Sequence, residues 1–381
     1  FTCEEAKLND LLFNQRKISN ISRPVQEIND TLDLEVWLAI FNVLYLDEQT
    51  ETFSFQGWQV DMWRDLNLIW NPEEFNNCNY FIIQEKDIWK PNLLVLNGAD
   101  ASNLAPNISS DTVISILATG DVFWYQINTY NVICPLDFSA YPFDEHLCQI
   151  TFISWEHTGN ELNISVGANN THFHTYMMDE HNQWELISSF SNVSDFFYGE
   201  DLFYQEVNFF VRLKRRSLYY HLALITPNAI CILIILLTFW VPHESNGKLL
   251  VSGVNVIILT VLLIHFHWVV PRNGSNVPTI IIFCGNSIFF AGLAFIISVA
   301  TTCTYKEPPV IYPPTWIKNL LTSWLGTILG INFQKMEIST NNATEKSPHA
   351  AAWKTIAIAI DRLFFLLYCI IFTCILIFTF V

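Results

Sequence analysis

Residues Cys134 to Cys148 read CPLDFSAYPFDEHLC, two cysteines enclosing thirteen residues, with Tyr141 and Pro142 near the centre and Phe143 and Asp144 just after them. In an oxidising compartment a disulfide between these cysteines closes a short loop and contributes about 3 kcal/mol by restricting the unfolded chain. The Tyr141-Pro142 pair holds a rigid turn at the tip of that loop, and its peptide bond is open to the cis form.

On either side of this loop the apolar residues alternate with polar ones. Runs such as LDLEVWLAIFNVLYLDE and HLCQITFISWE have period two and are separated by Asn, Gly, Pro and Asp. Many short strands over about 200 residues predict an antiparallel β-sandwich rather than alternating strand and helix units. Residues 1 to 15, FTCEEAKLNDLLFNQ, read as a short amphipathic helix ahead of it.

After Leu218 the pattern changes. Four stretches, Tyr219 to Val241, Leu249 to Val270, Val277 to Thr302 and Ile356 to Val381, are long and apolar enough to cross a bilayer, which takes about 20 helical residues. Between the third and fourth, PPVIYPPTWIKNLLTSWLGTIL predicts an interfacial helix opened by Pro313 and Pro314. The polar stretch Asn332 to His349 is expected to be flexible. The domain boundaries expected are 1–217 for an extracellular sandwich, 218–303 for three membrane helices, 304–355 for a cytoplasmic loop and 356–381 for a fourth membrane helix.

Charge agrees with this division. Residues 1–217 hold 31 Asp and Glu against 11 Lys and Arg, a net of −20, and the rest of the chain has the remaining +3 of the total of −17. An acidic outer half concentrates cations and argues against nucleic acid or anionic lipid as its partner. Lys306 to Arg362 has six basic residues against four acidic ones, which places that loop inside under the positive-inside rule and both termini outside. Six sequons precede the first span, at Asn20, Asn29, Asn107, Asn163, Asn169 and Asn192, and favour a glycosylated face in a secretory compartment. The absence of a starting Met suggests a signal peptide removed before residue 1.

The Cys-x13-Cys loop with its aromatic-Pro-x-Asp core resembles the signature of Cys-loop, or pentameric ligand-gated, ion channels. GWQVDMWRDLNLIWNPEEF, DIWKPNLLVLNGAD, KRRSLYY before Pro227, and AAWKTIAIAIDRLFF resemble nicotinic acetylcholine receptor subunits in order and spacing. The resemblance implies a plasma-membrane receptor of five subunits, this chain with four further like or related ones, and a small-molecule agonist, an amine, bound between subunits. It also implies a central pore for permeating ions among membrane lipid, no cofactor and no catalysis. No nucleophile-base pair, metal motif or phosphate loop stands out in the sequence to support an enzyme.

Site residues follow from the same resemblance. The ligand box would take Trp155, Tyr204, Phe197 or Tyr198 and the Leu96 position from one subunit, and Trp58, Phe123 and Tyr125 from the next. Two departures stand out: Leu96 replaces a tyrosine, and Gly199 and Glu200 stand where agonist-binding relatives have vicinal cysteines. Helical spacing from Lys248 turns Leu250, Val254, Ile257, Val261, Ile264 or His265, and Trp268 toward the pore. Gly247 replaces the usual Glu before that Lys, so a hydrophobic gate with weak charge selection is expected, and cations are favoured because no Pro-Ala insertion is present. Coupling would run through Glu48 paired with Arg215, the Tyr141, Pro142, Phe143 and Asp144 tip, and the loop 272–278. Cys3 is expected to pair with Cys78. His172, His174, Asp179 and His181 have the ligand chemistry of a metal site, but at loose spacing that a solvated polar loop accounts for equally well. The competing reading is an orphan or accessory subunit that assembles without binding an amine.

Overall fold

The computed structural model describes residues 3–16, 18, 20–100, 112–167, 181–199, 202–269, 277–330 and 348–380. The chain divides into two compact units. The first comprises 1–137 with 143–216, and the second 138–142 with 217–381.

The first unit is a two-sheet sandwich. Its strands are β1 (Leu32–Asp47), β2 (Thr52–Arg64), β3 (Tyr80–Gln84), β4 (Leu93–Val95), β5 (Val113–Leu117), β6 (Asp121–Ile133), β7 (Glu145–Ser154), β8 (Leu162–Val166), β9 (Trp184–Phe197) and β10 (Phe203–Arg215). Six form one sheet in the order β3-β5-β6-β2-β1-β8, and four form the other in the order β4-β7-β10-β9. Every pairing is antiparallel except β1 with β8, which is parallel, so the sheet is not purely antiparallel as the alternation alone suggested.

The alternation has its structural counterpart in β1, where Leu34, Val36, Leu38 and Ile40 are buried and the residues between them are not. Between the sheets, Tyr130 of β6 meets Phe152 of β7 edge-on at 5.9 Å, and Phe152 meets Phe209 of β10 at 5.8 Å. These rings fill the inter-sheet space, where each buried aromatic contributes a large area of apolar burial.

Helix α1 (Glu5–Asn9) continues into a π-type segment, Asp10–Gln15. Its apolar stripe places Leu8 and Leu12 in the interior, and the Arg16 guanidinium donates to the carbonyls of Asn67 and Ile69 at 2.9 and 2.7 Å. Cys3 is bonded to Cys78 and Cys134 to Cys148, with Cα separations of 5.0 and 4.9 Å. The Tyr141-Pro142 peptide is cis. Replacing Cys134 and Cys148 together by serine releases the short loop and is expected to cost about 3 kcal/mol. A lower melting temperature of the purified full chain, measured by fluorescence-detected size exclusion, is the readout.

The second unit is helical: α2 (Leu218–Thr238), α3 (Gly247–Val269), α4 (Thr279–Lys306), α5 (Thr315–Thr322), α6 (Trp324–Ile328) and α7 (Pro348–Phe380). Four of them, α2, α3, α4 and α7, are long and apolar enough to cross a membrane. Helix α7 starts at Pro348, eight residues before the expected fourth span, and α4 runs on to Lys306. Hydropathy marks only the lipid-length portion of a helix, whereas hydrogen bonding propagates through the flanking Ala350, Ala351, Ala352 and Lys354. Pro314 precedes α5, which with α6 packs on α7 through Leu321, Leu329, Ile356 and Ala359. Asn332 to Ser347, most of the stretch read as flexible, lies outside the described residues.

Candidate functional site

Strand β7, an inner strand of the four-stranded sheet, ends at Ser154, so Trp155 stands just past its end, where it is 71% exposed. Leu96 follows β4 on the neighbouring strand, held by Leu96 N–H donating to the Thr151 carbonyl at 2.8 Å, and is also exposed. Tyr204 and Phe196 are cross-strand partners in β10 and β9, and Phe197 stacks obliquely on Phe203 at 6.0 Å. Phe197 and Tyr198 are exposed, and Tyr198 N–H donates to the Leu202 carbonyl at 2.7 Å. Gly199 has φ +87°, a left-handed conformation that strains any residue with a Cβ, so the turn itself favours glycine.

Trp58, Phe123 and Tyr125 belong to the other sheet. Trp58 on β2 lies 5.7 Å from Tyr125 on β6, and Phe123 stacks parallel to Tyr125 at 6.4 Å. Trp58 is exposed and the other two are half-buried. Within one chain the aromatic residues singled out by sequence thus fall on two different sheets, with Trp58, Phe123 and Tyr125 in ring contact on one and Trp155, Phe197, Tyr198 and Tyr204 at the ends of β7, β9 and β10 on the other. A large aromatic left exposed in a cluster marks a surface built to meet something.

A buried charge cluster lies where three strands end. Arg215, the last residue of β10, donates from Nε to Asp144 Oδ1 at 2.8 Å, from Nη2 to Asp144 Oδ2 at 2.9 Å, and from Nη1 to Glu48. Glu48 follows the last residue of β1 and Asp144 precedes the first of β7, so one guanidinium ties three strand ends together. Its planar face lies on the Trp184 ring at 4.4 Å, and His146 Nε2 is 2.5 Å from Asp144 Oδ2. Burial alone would raise the Asp144 carboxyl, but the hydrogen bonds from His146 and Arg215 outweigh it and hold it below the usual range. Glu48 goes the other way, raised by burial that Arg215 only partly offsets. Tyr141 and Pro142 of the tip group with the helical unit, where the Tyr141 ring meets Tyr220 edge-on at 5.5 Å. Phe143 groups with the sandwich and is exposed.

The profile of the neurotransmitter-gated ion-channel ligand binding domain matches residues 4–217. The chain belongs to the neurotransmitter-gated, Cys-loop ion-channel family. Acetylcholine receptor subunit alpha-type acr-16 of Caenorhabditis elegans is 25% identical over 324 residues, covering 82% of this chain and 62% of its own length. Neuronal acetylcholine receptor subunit beta-4 of Homo sapiens is 24% identical over 333 residues, covering 85% and 64%. Neuronal acetylcholine receptor subunit beta-2 of Carassius auratus is 23% identical over 315 residues, covering 81% and 66%. The chain therefore spans less than two thirds of the length of these nicotinic relatives.

In this Cys-loop chain, helix α3 exposes Leu250, Val254, Ile257, Val261, Ile264, His265 and Trp268 on one side. Its other side buries Lys248, Ser252 and Asn255 together with Leu259 and Phe266, so the polar residues of its first three turns face inward. The sequence reading missed why Lys248 is buried. Its ammonium bonds Asp361 of α7 and donates to Thr301 Oγ1 of α4 at 3.1 Å, and His243 Nε2 is 3.0 Å from the same Asp361 oxygen. The DR pair in AAWKTIAIAIDRLFF was the available signal, since a carboxylate inside an apolar span demands a partner.

Of the sequons, Asn20, Asn29, Asn163 and Asn192 are exposed, while Asn107 and Asn169 lie outside the described residues. His172, His174 and Asp179 also lie outside them, as do Glu200 and residues 270–276. His181 Nδ1 accepts the backbone N–H groups of Gln183 and Trp184 at 3.2 and 3.1 Å, which uses the lone pair a metal would take.

Proposed function

We propose that this chain is one subunit of a pentameric channel opened by an amine agonist bound between neighbouring subunits, with α3 lining a cation-passing pore. The carrying observation is the division of the exposed aromatics between two sheets. Leu96, Trp155, Phe197, Tyr198 and Tyr204 form one half of a box, Trp58, Phe123 and Tyr125 the other, and closing the box takes two chains side by side. Ring faces hold a cationic amine at about 0.5 to 2 kcal/mol per contact, and a net charge of −20 on the outer half draws cations toward it.

Lys248 supports cation passage because its charge is buried against Asp361 rather than turned to the exposed side of α3. That side is apolar from Leu250 to Ile264 and suits a gate that closes by dewetting. The Arg215 cluster, three residues before α2 begins, supports a coupling role for the strand ends it joins.

A second reading, an accessory subunit that contributes only the Trp58 half, is favoured by Leu96 and by the Gly199 turn. Two-electrode recording from cells expressing the chain alone, with transmitter amines and amino acids applied, separates the two. The first reading expects an amine-evoked current whose reversal follows external sodium, with Trp155→Ala raising the half-maximal concentration by about threefold to thirtyfold, the equivalent of one cation–π contact. Silence from pentamers confirmed at the surface supports the second.

A further inference from the structure

Behind the Trp58 and Tyr125 cluster, on the inner face of the same two strands, lies a carboxylate held by amides rather than by a cation. Asp61 is fully buried and accepts from Gln59 Nε2 at 2.9 and 3.0 Å and from Gln126 Nε2 at 2.8 Å. Gln59 Oε1 in turn accepts from the Tyr130 hydroxyl at 2.9 Å, and Tyr130 accepts from Asn128 Nδ2 at 3.4 Å. Every donor in this network points toward Asp61, because an ionised carboxylate only accepts. Gln59 follows Trp58, Gln126 follows Tyr125, and Gln59 and Gln126 are cross-strand partners, so the network runs directly behind the aromatic pair. At its far end the Tyr130 ring reaches Phe152 of the other sheet.

We propose that Asp61 is a proton-responsive switch of the sandwich: acid on the side the sandwich faces protonates it and changes the packing of the strands that present Trp58 and Tyr125. A proton added to one carboxylate oxygen turns that oxygen into a donor. The acceptors in the network that could take it are the side-chain carbonyls of Gln59 and Gln126, so one of these amides must turn over, and if Gln59 turns it releases the Tyr130 hydroxyl.

The groups around Asp61 that carry or exchange charge are Tyr130 from β6, Asp65 just past the end of β2, Lys90, whose ammonium lies over the Trp124 ring at 5.1 Å, and His157, whose ring lies 5.9 Å from Trp89 beyond Trp63. Trp124 is the cross-strand partner of Asp61 on one side and Val36 on the other. Burial pushes the Asp61 carboxyl up to about 7 despite its two glutamine donors. Its folded-state value therefore exceeds the unfolded one, so the protonated fold is the more stable, and that stability is lost as pH rises through about 7.

A functional consequence for agonist response rests on the reading above; the switch itself does not. Hydrogen exchange of the full chain in lipid nanodiscs, corrected for intrinsic rates, is compared at pH 6 and pH 8 for peptides spanning 57–64 and 121–130. Linkage to one proton predicts about tenfold greater protection at pH 6 in the native chain, and no such difference in Asp61→Asn. Equal protection at both pH values in the native chain, or a difference that survives in Asp61→Asn, overturns the proposal. If Asp61→Asn does not fold, infrared titration of the native chain decides: a protonated-carboxyl band lost near pH 7 supports the switch, and its absence overturns it. The pH-dependent protection combined with an agonist response indifferent to Trp58→Ala removes the agonist-site reading and leaves the switch standing.

Discussion

Replacing Arg215 by glutamine is expected to destabilise the sandwich by about 3 to 5 kcal/mol, because it leaves the buried Asp144 and the part-buried Glu48 facing each other with no cation between them. Surface expression should collapse, and any protein recovered should melt far below the native chain in fluorescence-detected size exclusion. Asp144→Asn should come next in severity, since it removes the partner of two hydrogen bonds, and Glu48→Gln should be mildest. Sequence alone suggests exchanging Arg215 with Glu48 as the test of their pairing, with rescue expected. The geometry changes that expectation: in the exchanged protein the carboxylate introduced at position 215 would confront Asp144, so the double variant should fail although the native pair is real. The informative comparison is the graded series at the two native carboxylates. An Arg215→Gln protein as stable as the native one would remove this cluster from any structural or coupling role.

The second large effect is expected in the helical unit. Asp361→Leu strands the fully buried Lys248 ammonium between α3, α4 and α7, and removal of one member of a buried pair costs about 3 to 5 kcal/mol. Lys248→Met leaves Asp361 with only His243 and should be nearly as damaging. The double variant Lys248→Met with Asp361→Leu should recover most of the loss, because an apolar pair of similar volume needs no compensation. A double-mutant cycle on the melting temperature reads the coupling directly. Simple addition of the two single effects would show that the charges do not depend on each other.

Much of the fold was legible because its signals are local. The period-two burial of Leu34 to Ile40 and the four lipid-length apolar runs need only neighbouring residues. The helix ends were less visible, since the start of α7 at Pro348 lies outside its apolar run. For the candidate site, resemblance supplied the positions of Trp58, Leu96, Trp155 and Tyr204, and the structure adds that they lie on or just past strands of two different sheets. Resemblance pointed to Glu48 with Arg215, but neither it nor periodicity exposed the polar networks around Asp61 and Lys248. Gln126 and Asp61 are 65 residues apart, and Asp361 and Lys248 are 113 apart. No local pattern links residues so distant. A lone Asp in a strand reads as surface, and only the fold shows that this one is enclosed.

Carrying the two aromatic clusters on separate sheets also decouples their histories. Changes at Leu96 or in the Gly199 turn fall on the β4-β7-β10-β9 sheet and leave Trp58, Phe123 and Tyr125 unaltered. Selection can therefore relax one face of such a chain while keeping the other, and a lineage that loses one half can persist by sitting beside a neighbour that supplies it. If the box closes between neighbours as proposed, then in a mixed ring the order in which chains are seated, rather than how many of each are present, fixes how many complete boxes the ring contains.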